Sequence, residues 1–248
     1  MIPKIIHQTW KTKELPDKLE RWHKQIIELH PGWEIKLWTD EDNLNLVEER
    51  FPELANIYKS LEHNIMRVDM IRYMYMMEFG GYYLDLDYEL FVPFDDQTSQ
   101  PDLMLPISWE ENNGTIILGN CLFASIPKHN FWKDVLKDFQ YNPPLRKIYD
   151  KFDILKLTGP AFISNIYFKS PAKYNGFLVP KNVYHPDDRL ITKQNYQSAF
   201  ERLGTRGLHH CNGSWIKGIS VINIASRAKA SIQRIFKKLT KTKQNLNL

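Results

Sequence analysis

Apolar positions along the chain change period several times, and each change marks an element. Ile5 and Ile6 predict a short first strand over residues 4–7 that ends at Gln8-Thr9-Trp10. From residue 16 to 30 the period lengthens: Leu19, Trp22, Ile26 and Ile27 recur at helical spacing and face inward, and Pro31-Gly32 ends the helix. Residues 33–38 alternate as a second strand, and an Asx-rich turn leads into another helix to about Phe51. A β-α-β-α opening implies parallel strands joined by right-handed crossovers.

The most informative change of period follows. Ile65, Val68, Met70, Ile71, Met74, Tyr75 and Met77 keep helical spacing until Gly80-Gly81, where a left-handed cap is most easily made. Residues 82–88 then read as a strand, with Tyr82, Leu84 and Leu86 on one face and Tyr83, Asp85 and Asp87 on the other. Two carboxylates this close resist joint ionisation unless a cation compensates them, and hard oxygen ligands suit Mg²⁺ or Mn²⁺. Upstream, Asp69 and Arg72 lie three apart on one helix, so an acid and a guanidinium share a face; they form either a surface ion pair or a polar grip on a ligand such as a sugar.

Residues 90–93 carry the chain away in extended form, 115–124 are apolar and β-branched with Gly119-Asn120 inside, and 128–132 open a helix. Gly159-Pro160 punctuates a strand-like run and begins a helix through Ile166. A strand is expected within 177–192, followed by Asp187-Asp188 in an exposed turn; His129 and His185 read as structural hydrogen-bonders. Residues 207–215 combine two imidazoles, two glycines, a hydroxyl and an indole, a composition suited to a mobile lid.

With 248 residues, 43% apolar and 13% aromatic, and no linker, repeat or low-complexity tract, one large α/β domain over residues 1–220 is expected. Cys121 and Cys211 lack both a disulfide framework and metal-site spacing, so each reads as a buried thiol. The opening residues show neither a signal peptide nor a spanning segment, which predicts a cytoplasmic location. The formal charge of +4 comes from the end of the chain: seven Lys and Arg lie beyond residue 225 with no acidic residue after Glu201, and without them the charge would be −3. This argues against a nucleic-acid-binding body. Ile232, Ile235, Phe236 and Leu239 fall at helical spacing, so residues 221–248 predict a basic amphipathic helix, either docked on its own domain or lying on an anionic membrane surface.

The run Asp69-x-x-Arg72-Tyr73, followed by Gly80-Gly81-x-Tyr83-x-Asp85-x-Asp87, resembles the signature of the DXD-type sugar transferases of glycosyltransferase family thirty-two. That family includes initiating mannosyltransferases, capsular-polysaccharide transferases and, more distantly, the glucosylating domains of clostridial toxins. Further echoes lie at residues 2–10, at 157–160 and at His209-His210-Cys211-Asn212-Gly213-Ser214-Trp215. The resemblance implies a single GT-A-like, Rossmann-like nucleotide-sugar domain with a mixed, mostly parallel sheet, and retaining transfer of a sugar from a nucleoside diphosphate donor to a glycan, lipid-linked or other acceptor hydroxyl. It implies Mn²⁺ or Mg²⁺ on Asp85 and Asp87 with His210 as a late ligand, Asp69 and Arg72 orienting the sugar, and Trp10, Tyr73, Tyr83, Asn120, Ser214 and Trp215 around a UDP- or GDP-sugar. A haloacid-dehalogenase-type phosphohydrolase also uses a strand-borne D-x-D, but it wants Thr or Val where Glu89 stands, and it leaves Trp10 and Gly80-Gly81 unexplained. A non-catalytic membrane-surface sugar-binding module would need a ruined metal site, and both aspartates are present.

Overall fold

The computed structural model describes residues 1–94, 101–110, 114–145, 150–186, 191 and 195–211. The elements in order are β1 (Ile5–Thr9), α1 (Asp17–Leu29), β2 (Glu34–Trp38), α2 (Asp40–Arg50), α3 (Pro52–Ser60), α4 (Asn64–Glu78), β3 (Gly81–Leu84), β4 (Tyr88–Leu90), β5 (Leu103–Glu110), β6 (Ile116–Leu118), β7 (Leu122–Ser125), α5 (Asn130–Tyr141), α6 (Lys151–Leu157), α7 (Pro160–Lys169), α8 (Pro171–Tyr174), β8 (Phe177–Val179), α9 (Lys181–Tyr184), α10 (Tyr196–Leu203) and β9 (Gly207–His209). The opening β-α-β-α order is as expected, with a capping box at Thr39 and Asp42 starting α2. No helix among the described residues is long and apolar enough to cross a membrane.

The central sheet has seven strands in the order β2-β1-β3-β7-β5-β6, with β8 on β5. Strands β1, β2, β3, β5 and β8 run one way and β6 and β7 the other, a mixed sheet that is mostly parallel. Both faces are covered, which is why its strands show runs of apolar residues. Tyr83, Leu103, Leu105 and Phe123 point into one core with α4, α5 and α7; Tyr82, Leu84, Met104, Leu122 and Ala124 point into the other with Ile26 of α1. Helix α4 is buried on nearly all sides, from Met66 to Met76.

Two tight glycines stop α4 and start β3. Gly80 (φ +64°) and Gly81 (φ +84°) are left-handed, and a Cβ on Gly81 would stand 2.6 Å from the Ile5 carbonyl oxygen. That close approach lets β3 pair with β1, Ile6 opposite Tyr82 and His7 opposite Tyr83.

Four expectations are corrected. Ile27 is 46% exposed, because the buried stripe of α1 runs through Trp22 and Ile26. The run before Gly159 is helix α6, capped by the Asp150 side chain. Cys211 is exposed, although Cys121 is buried as expected. Strand β3 ends at Leu84, and Asp85-Leu86-Asp87 form a turn closed by the Tyr88 N–H on the Asp85 carbonyl at 3.2 Å, so the two carboxylates are gathered by a turn and not by strand alternation. Asp187, Asp188, Asn212 to Trp215 and the basic stretch 221–248 lie outside the described residues.

Candidate active site

The ends of β1 and β3 point the same way, and the chemistry-bearing residues collect just beyond them, where open α/β sheets bind ligands. Across from Asp85, the pairing with β5 gains three residues: Ile107 faces Leu118 and Met104 faces Ala124, so three steps on β5 are matched by six on β6 and β7. The excess is the bulge Gly119-Asn120-Cys121. It delivers the Cys121 carbonyl to the Asp85 N–H at 2.9 Å. It also brings Asn120 over α4.

Beneath that bulge, Asp69 and Arg72 are each 3% exposed, which excludes the surface ion pair. Asp69 Oδ1 lies 3.3 Å from Arg72 Nη2 and accepts from Asn120 Nδ2 at 2.9 Å, while Oδ2 accepts from the Thr158 hydroxyl at 2.8 Å. Arg72 donates through Nε to the Val68 carbonyl at 3.1 Å and through Nη1 to the Asn120 carbonyl at 2.6 Å, and Nη1 lies 3.5 Å from Asp85 Oδ1. The guanidinium also sits 4.7 Å from the centre of the Tyr83 ring, whose hydroxyl donates to Asp85 Oδ1. Burial pushes the Asp69 carboxyl up to about 6 against the pull of Arg72. Burial works against the Arg72 charge, but Asp85, Tyr83 and Asp69 outweigh it and raise its pKa.

Above this base, Asp85 and Asp87 meet His209 of β9, which pairs antiparallel with β4. His209 Nε2 lies 3.0 Å from Asp87 Oδ1 and 3.7 Å from Asp85 Oδ2. One donor atom from each of the three lies within 4.8 Å of the others. Burial and Asp87 raise the pKa of Asp85 in spite of Arg72 and His209. Two carboxylates this close, one of them braced by an imidazole, are a donor set that fits a hard divalent cation.

The expected residues are placed as follows. Asp69, Arg72, Tyr83, Asp85, Asp87 and Asn120 converge. Tyr73 is buried, its hydroxyl on the Thr158 carbonyl at 2.6 Å, so it supports Thr158 from within the core. Trp10 follows β1, half-buried, its backbone N–H on the Trp38 carbonyl at 2.9 Å. His210 is turned away from the aspartates: Nε2 meets Glu89 Oε2 at 2.9 Å and the ring stacks on Trp22 with centroids 4.3 Å apart. The imidazole at the carboxylates is His209, because neighbouring side chains of an extended segment point to opposite faces and β9 turns His209 towards Asp87. His129 caps α5 by accepting from the Phe131 N–H, a structural role as expected. Thr158 was visible only within the Leu157-Thr158-Gly159-Pro160 echo, and nothing in its local pattern announced a bond to Asp69 across 89 residues.

Residues 16–104 match the family model described as glycosyltransferase sugar-binding region containing DXD motif. The chain is 30% identical over 188 residues to mannosyl phosphorylinositol ceramide synthase SUR1 of Saccharomyces cerevisiae, covering 73% of this chain and 45% of that protein. It is 34% identical over 171 residues to inositol phosphoceramide mannosyltransferase 3 of Schizosaccharomyces pombe, covering 67% and 45%. Its identity to the initiation-specific alpha-1,6-mannosyltransferase of Candida albicans is 23% over 174 residues, covering 63% and 44%. The chain spans about half the length of the curated relatives it matches. Among solved structures, the PaToxG glycosyltransferase superposes with a TM-score of 0.51 at 16% identity, covering 82% of this chain and 78% of that one. That likeness is one of fold, and the GT-A-like α/β arrangement expected from the sequence is the one found.

Proposed function

This chain belongs to the DXD-motif glycosyltransferases, and from that premise we propose that it transfers a sugar from a nucleoside diphosphate sugar to an acceptor hydroxyl, with a divalent cation and with retention at the anomeric carbon. The observation that carries this reading is the meeting of Asp85, Asp87 and His209 beyond the ends of β1 and β3. The names of the yeast relatives favour a mannosyl donor and an inositol-bearing lipid acceptor. The basic stretch 221–248 suits an anionic membrane surface at which such an acceptor would be met.

Asp85 and Asp87 would hold Mn²⁺ or Mg²⁺, which when bound supplies positive charge to the diphosphate leaving group. His209 orients Asp87. Arg72 fixes Asp85 and Asn120 from below, and Asp69 holds Arg72 and the Asn120 amide, so the donor sugar is gripped by Asn120 and Asp85 on a rigid base. Asp69 is enclosed by Thr158, Asn120 and Arg72, which leaves it unsuited as a covalent nucleophile. Same-face displacement, with the departing phosphate helping to take the acceptor proton, accords with that enclosure.

A panel of UDP- and GDP-sugars with Mn²⁺, scored for slow donor hydrolysis without acceptor, tests the reading. Cleavage of at least one donor, abolished by chelator and by Asp87→Asn, is expected. Phosphomonoester hydrolysis with no nucleotide-sugar cleavage would overturn it in favour of a phosphohydrolase.

A further inference from the structure

The ring of His209 has two nitrogens, and the aspartates use only one. Nε2 faces Asp87, while Nδ1 lies 3.2 Å from Cys211 Sγ. The bulge also brings in Cys121, whose Sγ lies 3.7 Å from His185 Nε2. One donor atom each from Cys121, His185 and His209 lies within 4.8 Å of the others. One thiol and two imidazoles therefore face one another, brought from the β6–β7 bulge, the end of α9 and β9, and the Cys211 thiol joins them through its contact with His209.

Two sulfur–nitrogen separations suit a tetrahedral site. Zn–S and Zn–N bonds of ordinary length at the tetrahedral angle put sulfur and nitrogen ligands about 3.6 Å apart. The observed sulfur–nitrogen separations of 3.7 and 3.2 Å bracket that value. Backbone conformation is committed to the same place. Gly119 leaves room for His185, since a Cβ there would stand 2.5 Å from His185 Nε2. Cys211 adopts φ +46°, a left-handed conformation uncommon for a residue with a side chain, and it presents its thiol to His209.

We propose that Cys121, His185, His209 Nδ1 and Cys211 form a binding site for a soft divalent cation of the Zn²⁺ type, distinct from the hard-cation site of Asp85 and Asp87. The donor sets select different metals: thiolate and imidazole suit Zn²⁺, paired carboxylates suit Mg²⁺ or Mn²⁺. A histidine that binds zinc through one nitrogen commonly donates its other N–H to a carboxylate, and Asp87 Oδ1 stands at 3.0 Å from Nε2 to receive it. Zinc at Nδ1 thus fixes the His209 tautomer and holds Asp87 in place. Binding expels the thiol protons to solvent and involves no change of oxidation state.

Co²⁺ titration of the full-length, reduced, metal-free chain tests this. One equivalent should produce thiolate-to-cobalt charge transfer and the strong visible bands of tetrahedral cobalt, and one equivalent of Zn²⁺ should abolish both. These bands should persist in the Asp85→Asn, Asp87→Asn double variant, which separates this site from the carboxylate pair and keeps the test independent of transferase activity. Cys211→Ser, a change at an exposed residue, should weaken Zn²⁺ binding at least tenfold (about 1.4 kcal/mol), as should His185→Gln. Zn²⁺ should also slow alkylation of Cys211. A cobalt spectrum without charge transfer, one unchanged by Cys211→Ser, or one lost in the double aspartate variant would overturn the proposal.

Discussion

Arg72 donates from Nη1 to the backbone carbonyl of Asn120 at 2.6 Å, a bond that spans 48 residues of sequence. The same guanidinium serves Asp69, Asp85 and the Val68 carbonyl, so one side chain sets the relative positions of α4, the β6–β7 bulge and the turn that carries the aspartates. Lysine cannot make that fork. Arg72→Lys should cost about 2 kcal/mol of stability through the polar groups it leaves unpaired, and about 10²-fold in turnover through misplacement of Asp85. Denaturant unfolding and donor hydrolysis check the two effects separately; unchanged turnover in a folded variant would show that the bridge is only structural.

The metal prediction is sharper because Asp87 is partly accessible and lies in a turn, outside both cores. Asp87→Asn should leave the unfolding midpoint close to that of the parent and lower turnover by about 10³-fold or more, the loss of several kcal/mol of charge stabilisation. Chelator should do the same to the parent protein, reversibly on adding back Mn²⁺. Full activity in excess chelator would contradict the proposed use of this pair.

A third prediction concerns acid stability. His7 is buried among Trp38, Tyr75 and Phe79, with Nδ1 accepting from the Trp38 indole at 3.1 Å and Nε2 donating to the Gly80 carbonyl at 3.0 Å. Burial holds its pKa down at about 3, against the Gly80 bond. Above the ordinary histidine value neither the folded nor the unfolded state is protonated there, and the neutral ring contributes in full. Below about 6.5 the unfolded chain takes up the proton first, so stability should fall by about 1.4 kcal/mol per pH unit until the folded pKa is reached. The difference between parent and His7→Gln in unfolding free energy, measured from pH 7 to 4, isolates this proton; a difference independent of pH would exclude it.

Two glycines separate strain from contact. Gly81→Ala meets the Ile5 carbonyl at 2.6 Å and a left-handed φ together, whereas Gly32→Ala, at φ +80°, has nothing within 4 Å. The first should cost more than about 3 kcal/mol and loosen the β1–β3 pairing; the second should cost about 1 kcal/mol, from backbone strain alone. Equal costs, measured by denaturant unfolding, would mean that the close approach of β3 to β1 contributes nothing.

Much of the frame is legible because period and punctuation agree: α1, β2 and α4 each combine an apolar repeat with a stop signal. Where the two conflict, the pattern misleads. Pro106 inside β5 disguises that strand, and Pro52 looks like a break while serving as the first residue of α3. The candidate site was legible as residue types and not as partners. Local spacing cannot reveal a bulge defined by an opposite strand, nor which of His209 and His210 an antiparallel pairing with β4 turns inward. Cysteine spacing misses ligands contributed by separate elements for the same reason.

The β4–β9 pairing carries a temporal consequence. His209 meets Asp87 across 122 residues, so the acidic pair is synthesised long before its imidazole. At ordinary translation speeds that interval is about 6 to 24 s. A nascent chain can complete β1, α1, β2 and α4 and still lack the proposed cation site in finished form, so competence for the proposed transfer would arrive as a late event of biosynthesis, when β9 docks on β4.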